Sequence, residues 1–290
     1  MYMPRRSADS IRLGPRLSIA FQRTLRIPDD GEIYPLPPGL GEFPIRRVAD
    51  YASRVPERWR ETGGVFIPMF QREAMWIYFA GADWKPNAVK VGIGGINAVS
   101  GATWDTTLRA DPQDYLVVPD QPWLDGINAG DGFIRQFVAM PLGAGHTVEA
   151  QLTGREDVGG LQLVSFEPTP GSFPSRPPNG GLRRGKSLIC VCEASPVEMG
   201  LGAGGRMRQS IYPDSHGIET WDTTRQQSLY VHIVNSQAWR EITGEEPPPT
   251  PVSTQSYIEA GLPWFELYDE HLGDLDPSPE LACVRPIDQL

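Results

Sequence analysis

The stretch Val65-Phe-Ile-Pro-Met-Phe-Gln-Arg-Glu-Ala-Met-Trp-Ile-Tyr-Phe-Ala80 is rich in β-branched and aromatic residues and predicts strands around Met75–Phe79. Similar short runs recur along the chain, each bounded by Gly, Pro, Asp or Asn. They are Ala88–Ile93, Tyr115–Val118, Phe133–Met140, Val148–Leu152, Leu161–Phe166, Leu188–Cys192 and Leu229–Val234. Short strands separated by turns predict a mostly β (α+β) protein built from antiparallel β-sandwich or barrel lobes.

The composition supports this fold class. The chain contains 31 glycines and 29 prolines. Glycine permits positive φ angles, and proline fixes φ and lacks an N–H donor, so together they favour many turns and only a few short helices. The predicted helices are Phe43–Arg54, Pro56–Glu61, Ser253–Ala260 and one that begins at Ser278. In the first of these, Ile45, Val48, Ala49 and Ala52 follow helical spacing.

Charge and cysteine content exclude several classes of partner. The formal net charge is −10, whereas a nucleic-acid surface needs clustered cations, so no nucleic-acid partner is expected. The N-terminal residues Met1-Tyr-Met-Pro-Arg-Arg6 lack the apolar segment of a secretion signal. A cytoplasmic protein without a membrane partner is therefore expected. Cys190, Cys192 and Cys283 supply neither a disulfide framework nor four zinc ligands, so no metal or cofactor is predicted.

Changes in composition divide the chain into four parts. Residues 1–42 form a basic Pro/Gly-containing arm, 43–167 a first β-rich lobe, 168–186 a Pro/Gly-rich linker, and 187–290 a second β-rich lobe with C-terminal helices.

A short repeat raises the question of whether the two lobes arose by duplication. The motif Trp104-Asp-Thr-Thr107 recurs as Trp221-Asp-Thr-Thr224, and Trp123 corresponds to Trp239 at nearly the same offset. However, Ile134-Arg-Gln136 matches Met207-Arg-Gln209 at a different offset. Duplication and coincidence both stay open at this point.

Two glycine-rich stretches match nucleotide-binding patterns in the wrong context. Gly180–Ser187 fits the phosphate-loop pattern, but the strand-like run Leu188–Cys192 follows it where a helix is required. Gly200–Gly205 fits the dinucleotide fingerprint, but Pro213 would end any helix after it within two turns. Neither stretch predicts a nucleotide cofactor, and we interpret the second as a glycine loop that allows close backbone approach.

The best candidate for ligand binding is the Gly-rich turn 119–132. It concentrates Asp120, Trp123, Asp125 and Asp131, and carboxylates beside a tryptophan suit a carbohydrate or another polar small molecule. Turn formation by the Asp residues and burial of the tryptophan explain the same pattern. The four histidines are scattered and no catalytic triad motif occurs, so catalytic residues are unknown.

The two ends of the chain carry opposite charge. Residues 1–27 contain Arg5, Arg6, Arg12, Arg16, Arg23 and Arg26 and a single acid, whereas residues 241–290 contain eleven acids and one arginine. Such segments attract each other. The basic arm either folds back on its own C-terminal region or reaches a neighbouring subunit. The second possibility predicts a homo-oligomer assembled through Arg5, Arg6, Arg12 and Arg16.

Four sequence blocks resemble an uncharacterised family of bacterial and fungal proteins with no assigned function. They are Ile134-Arg-Gln-Phe-Val-Ala-Met-Pro-Leu-Gly143, Val148-Glu-Ala-Gln-Leu-Thr-Gly154, Trp239-Arg-Glu-Ile-Thr-Gly244 and Gly261-Leu-Pro-Trp-Phe265. The resemblance extends over most of the chain from about residue 15. It implies one coherent fold unit and no activity, cofactor or catalytic residue.

Two functions are compatible with these patterns. The sequence favours a non-enzymatic structural or interaction protein that assembles with its own copies through the basic arm and the acidic C-terminal region. The alternative is a carbohydrate- or small-molecule-binding module, or a hydrolase, that uses the Asp-rich 119–132 turn.

Overall fold

The computed structural model describes residues 9–130, 132–177, 198–249 and 273–290, which form fifteen strands and four short α-helices. The strands are β1 (Ser10–Arg12), β2 (Ser18–Thr24), β3 (Ile33–Tyr34), β4 (Arg46–Arg47), β5 (Val65–Met69), β6 (Ala74–Ala80), β7 (Asn87–Ile93), β8 (Ile96–Asn97), β9 (Leu116–Val118), β10 (Trp123–Leu124), β11 (Gly126–Gly130), β12 (Phe133–Pro141), β13 (Leu161–Pro168), β14 (Glu198–Arg208) and β15 (Trp221–Asn235). The helices are α1 (Glu57–Thr62), α2 (Val148–Thr153), α3 (Ser236–Thr243) and α4 (Pro279–Ala282).

All fifteen strands belong to one large, mostly antiparallel sheet that is not closed. Its main path runs β1-β2-β6-β12-β14-β15-β13-β7-β8, and the remaining strands pair beside this path. Two pairings are parallel, β3 with β14 and β5 with β15. The prediction of a mostly β, sandwich-like α+β fold with short helices is confirmed.

The strands of the central sheet bury both of their faces. On β7 and β13, Val91 and Leu163 enter the main core, whereas the alternate residues Ala88, Val164 and Phe166 enter a second apolar cluster with Trp221. Alternation places successive side chains on opposite faces of a strand. A strand that is apolar at both sets of positions is therefore covered on both sides, and it supplies a rigid frame for the surface around it.

Strands from the predicted arm and from both predicted lobes belong to this one sheet. Within the predicted arm, β2 pairs with β6 along seven residues and is almost entirely buried. Strands from both sides of the predicted linker also alternate, because β12 pairs with β14 and β13 pairs with β15. The described strands thus form one unit, since pairing partners in an antiparallel sheet can come from distant parts of a chain.

The tryptophans of the short repeat do not occupy equivalent places. Trp123 lies on β10, whereas Trp239 lies in α3. The repeated aspartates do form the same local turn: Asp105 accepts the N–H of Thr107, and Asp222 accepts that of Thr224. The similarity is therefore confined to a turn that each sequence favours by itself.

One predicted strand, Val148–Leu152, and one predicted helix, Phe43–Arg54, have a different secondary structure in the protein. Val148–Leu152 is part of α2, because Thr147 caps it through the N–H of Ala150 and Gly154 ends it in a left-handed conformation. Phe43–Arg54 is a short strand, β4, followed by a 3₁₀ turn, because Arg46 and Arg47 pair with β5. Tertiary pairing here outweighs helical spacing.

Other predicted elements are observed or lie outside the described residues. The helix predicted at Pro56–Glu61 is α1, and the helix predicted from Ser278 is α4, which Ser278 caps through the N–H of Leu281. The predicted elements Leu188–Cys192 and Ser253–Ala260, and the phosphate-loop match Gly180–Ser187, lie outside the described residues.

Candidate functional site

Asp125, predicted to bind a ligand, is part of the protein interior. Its residue exposure is 1%, and its backbone N–H and its Oδ1 both bind the side-chain amide of Gln209 at 2.9 and 2.8 Å. Burial raises the pKa of Asp125 to about 8. The predicted ligand contact is therefore corrected to a pair of internal hydrogen bonds that join Asp125, between β10 and β11, to Gln209 just after β14.

The other described members of the predicted set are less buried than Asp125. Trp123 is half-buried and its ring centroid lies 6.2 Å from that of Trp76. Asp120 is exposed, and its pKa is raised by desolvation against the opposing effect of His216. Asp131 lies outside the described residues. The three described members thus differ in burial, from the interior at Asp125 to the surface at Asp120.

The arginines predicted to drive assembly have partners in their own chain. Arg12 donates to the carbonyl of Pro15 at 2.8 Å, and Arg16 pairs with Glu167 and lies over the ring of Trp84. Arg5 and Arg6 lie outside the described residues. Farther along the same basic segment, Arg26 pairs with Asp288 near the C-terminus.

A groove of about 640 Å³ lies next to Arg16. It is lined by Pro15, Lys85, Glu167, Pro168, Pro170, Arg225, Gln226 and Gln227. The carboxylate of Glu167 is already bound by Arg16 and by Asn87, and Asp222 binds Arg225. Most of the groove's charged groups are therefore neutralised within the protein.

A different surface carries two arginines, Arg135 and Arg206, whose positive charges are only partly balanced by nearby acids. Arg135 on β12 lies directly opposite Arg206 on β14, and paired residues in an antiparallel ladder project from the same face. Like charges in this position repel, because the Cβ atoms of such a pair are about 5 Å apart. We call Arg135, Arg206 and the adjacent Asp29 the arginine face.

Asp29 neutralises this pair only in part. Its Oδ1 lies 3.7 Å from Arg135, and the two side chains are 4% and 11% exposed. Asp29 Oδ2 and Arg135 Nε are buried and have no hydrogen-bond partner among the described residues. Burial raises the pKa of Asp29, and burial together with the charge of Arg206 lowers the pKa of Arg135. The arginine face thus holds buried polar groups whose hydrogen bonds are incomplete.

The surrounding ion pairs do not supply the missing negative charge. Arg26 and Arg72 both bind Asp288, which lies within electrostatic range of Asp29. With Arg135 and Arg206, this group has four arginines and two aspartates. Counted over these six residues alone, the formal excess is two positive charges; two further acids, Asp30 and Glu32, follow Asp29 in the same segment. Arg206 has no ion pair within the described part of the chain and lies 4.9 Å from the ring centroid of Phe133.

The fold positions Asp29 through two features of the neighbouring strands. Gln136 on β12 accepts the N–H of Ile27 and donates to the carbonyl of Leu25, both at 2.8 Å. Gly205 on β14 lets the same segment pass, because a Cβ there would lie 2.1 Å from the carbonyl oxygen of Pro28. The glycines 200–205 are thus in a strand and not in the predicted loop, but their predicted role in close backbone approach is confirmed at Gly205.

Sequence patterns did not identify the arginine face, although one signal for it was present. The match between Ile134-Arg-Gln136 and Met207-Arg-Gln209 marks two strands that are neighbours, with Ile134 paired to Met207. The pairing register that brings Arg135 and Arg206 together cannot be deduced from either segment alone.

No helix among the described residues has the length and apolar character needed to span a bilayer. The described part of the chain also brings together no group of three or more His, Cys, Asp or Glu that could hold a metal ion. Comparisons of the chain with protein-family models, with curated proteins and with solved structures find no match.

Proposed function

We propose that the protein binds a small anionic ligand at the arginine face. The observation that carries this proposal is the direct opposition of Arg135 and Arg206 on neighbouring strands. The sheet holds the Cβ atoms of the two arginines about 5 Å apart, so their positive charges repel each other in the free protein. An anion bound between the two guanidinium groups is attracted to both of them.

The chemistry of the side chains favours an oxyanion. A guanidinium group presents its N–H donors in a planar fork that matches two oxygens of a phosphate or carboxylate. Arg135 Nε is a buried donor without an acceptor, and Arg206 is half-buried without an ion pair in the described part of the chain. A phosphate monoester carries nearly two negative charges at neutral pH and can therefore pair with both guanidinium groups.

The placement of the chain ends gives less support to self-assembly. Attraction between the basic and acidic ends was the reason for predicting a homo-oligomer. Arg26 of the basic end pairs with Asp288 at the acidic end of the same chain, and Arg16 pairs with Glu167. These two arginines thus already have acidic partners within one chain. We therefore favour binding of a small molecule, as in the alternative from the sequence, but at the arginine face and not at the Asp-rich 119–132 turn.

Isothermal titration calorimetry with inorganic phosphate tests the proposal. We expect saturable binding that weakens as salt is added, because part of the site is open to solvent. Arg206→Met should abolish measurable binding and leave the protein folded, since Arg206 packs on Phe133 without an ion pair in the described chain. Arg60→Met, at an exposed position on α1, is the matched control and should bind as the wild type does.

Two results would contradict the proposal. One is the absence of phosphate binding to the wild-type protein at low ionic strength. The other is equal binding by wild type, Arg206→Met and Arg60→Met, which would assign the phosphate to some other cationic surface.

A further inference from the structure

An exposed apolar side chain adjoins the arginine face. Ile33 on β3 is 45% exposed, more than the other two exposed large apolar side chains among the described residues, Val158 and Leu290, which are each 38% exposed. Ile33 is the register partner of Arg206 in the parallel pairing of β3 with β14. Paired positions share one face of a sheet, so Ile33 and Arg206 are immediate neighbours.

An aromatic side chain lies on the same face. Phe133 precedes Arg135 by two positions on β12, which places both on one side of the strand. It is half-buried, and the guanidinium carbon of Arg206 lies 4.9 Å from its ring centroid. Arg206 is therefore bordered by cationic, aliphatic and aromatic groups at once: Arg135 across the ladder, Ile33 on the other side and Phe133 diagonally.

We propose that the ligand of the arginine face is an aromatic phosphate monoester, with its phosphate between Arg135 and Arg206 and its ring against Ile33 and Phe133. This inference rests on the proposed function. It adds the chemical class of the group attached to the anion.

The neighbouring side chains suit a flat ring. Aromatic rings pack favourably on aliphatic and aromatic side chains and on the plane of a guanidinium group. Ile33 is exposed to solvent in the free protein, so covering it with a ring removes apolar area from water on both molecules. For an area of a few tens of Å² on each partner, the expected gain is about tenfold in affinity.

The test compares phenyl phosphate, methyl phosphate and inorganic phosphate by calorimetry with the full chain. Methyl phosphate controls for the ester, so its comparison with phenyl phosphate isolates the ring. We expect phenyl phosphate to bind about tenfold more tightly than methyl phosphate. Ile33→Ser should remove most of that difference and leave the affinity for inorganic phosphate unchanged. Val158→Ser, at another exposed apolar position, should retain the full difference.

The outcomes separate this inference from the proposed function. Equal affinities for phenyl and methyl phosphate, with phosphate binding that depends on Arg206, would overturn the aromatic class and leave anion binding intact. Absence of phosphate binding would overturn both. A preference for phenyl phosphate that persists in Ile33→Ser would also overturn the assigned position of the ring.

An aromatic phosphate can be a free small molecule or a phosphotyrosine side chain. A short capped peptide that contains phosphotyrosine is therefore added to the titrations. Tighter binding of the peptide than of phenyl phosphate assigns the ring to a protein partner, and weaker binding assigns it to a free small molecule. Both results support the aromatic phosphate chemistry, whereas binding of neither ligand overturns it.

Discussion

The side-chain amide of Gln151 binds both backbone groups of Arg285: its Oε1 accepts the N–H at 2.7 Å, and its Nε2 donates to the carbonyl at 2.8 Å. An amide that accepts from one backbone N–H and donates to one carbonyl supplies the two hydrogen bonds that a neighbouring strand would otherwise make. Four further glutamines bridge backbone segments in a similar way, Gln113, Gln121, Gln136 and Gln162. Backbone groups of irregular segments need such partners when they are buried.

Replacement of Gln136 should reveal what one such bridge contributes. Gln136→Met keeps the size of the fully buried side chain but leaves the N–H of Ile27 and the carbonyl of Leu25 without their partner. Each of the two unsatisfied groups costs about 1–3 kcal/mol, so we expect a loss of about 2–6 kcal/mol in the free energy of unfolding. Urea denaturation measures it.

Gln237→Met is the matched control, because Gln237 is exposed and, among the described residues, its side chain bonds to Glu241 one helical turn away. We expect this control to change stability by less than about 0.5 kcal/mol. Equal losses for the two variants would show that the bridge at Gln136 contributes nothing specific.

A buried ion pair, Arg23 with Glu73, predicts strong coupling in a double-mutant cycle. The side chains are 1% and 2% exposed, and Arg23 also lies over the ring of Phe43. Burial raises the pKa of Glu73 in spite of the nearby arginine, so removing Arg23 leaves a carboxyl that is costly to ionise. Arg23→Met and Glu73→Met should each lower the free energy of unfolding by about 3–5 kcal/mol.

The double variant should lose much less than the sum of the two single variants, because apolar groups can replace a buried pair with little net cost. The four free energies of unfolding come from urea denaturation at neutral pH. Strictly additive losses would mean that the two side chains do not interact energetically.

Asp125 predicts an unusual dependence of stability on pH. Its folded pKa of about 8 lies above the value of an unfolded Asp, so the folded protein retains a proton that the unfolded chain releases. The stability linked to this group is complete below about pH 4 and decreases as the pH rises toward 8. Asp125→Asn removes the ionisation and keeps an oxygen that can accept from Gln209.

We therefore expect Asp125→Asn to be more stable than the wild type at pH 7, by up to about 4 kcal/mol, and similar to it at pH 4. Urea denaturation at the two pH values measures the difference. A difference that does not change between pH 4 and pH 7 would show that Asp125 is ionised in the folded protein over this range.

The sequence predicted the strands well because their signal is local. Runs such as Ala88–Ile93 and Leu161–Phe166 combine β-branched residues with turn residues at both ends, and they appear as β7 and β13 with small changes of boundary. Val148–Leu152 alternates apolar and polar residues as a strand does, but Thr147 and Gly154 provide helix caps on each side. Capping residues outside the run therefore decided its structure.

The arginine face could not be predicted because its signal is not local. Arg135 and Arg206 belong to strands far apart in the chain, and their contact depends on one register of β12 against β14. The turn 119–132 was predicted to bind a ligand because its aspartates are close in sequence. Closeness in sequence did not predict exposure, and Asp125 lies inside while Asp120 lies outside.

His232 provides a second, opposite dependence of stability on pH. Its ring is stacked between Trp59 and Tyr230, with centroids 4.4 Å away on each side, and its Nε2 donates to the carbonyl of Gly63 at 3.0 Å. Burial lowers the pKa of His232 to about 4. The folded protein thus resists a proton that an unfolded histidine takes up near pH 6.5.

The stability that depends on neutral His232 should be complete above about pH 6.5 and lost as the pH falls toward 4, in total about 3 kcal/mol. His232→Phe retains a ring between Trp59 and Tyr230 but cannot be protonated. Its free energy of unfolding should therefore decrease less than that of the wild type between pH 7 and pH 4. The difference between the two curves cancels the contributions of groups that both proteins share, Asp125 among them.

Tyr230→Phe is the control, because it keeps His232 and the stacked ring and removes only the hydroxyl that donates to Val158 and Gly159. It should lower stability by a similar amount at every pH in this range and retain the slope of the wild type. Identical pH dependence of the wild type and His232→Phe, measured by urea denaturation, would show that the buried imidazole is protonated in the folded protein as readily as in the unfolded chain.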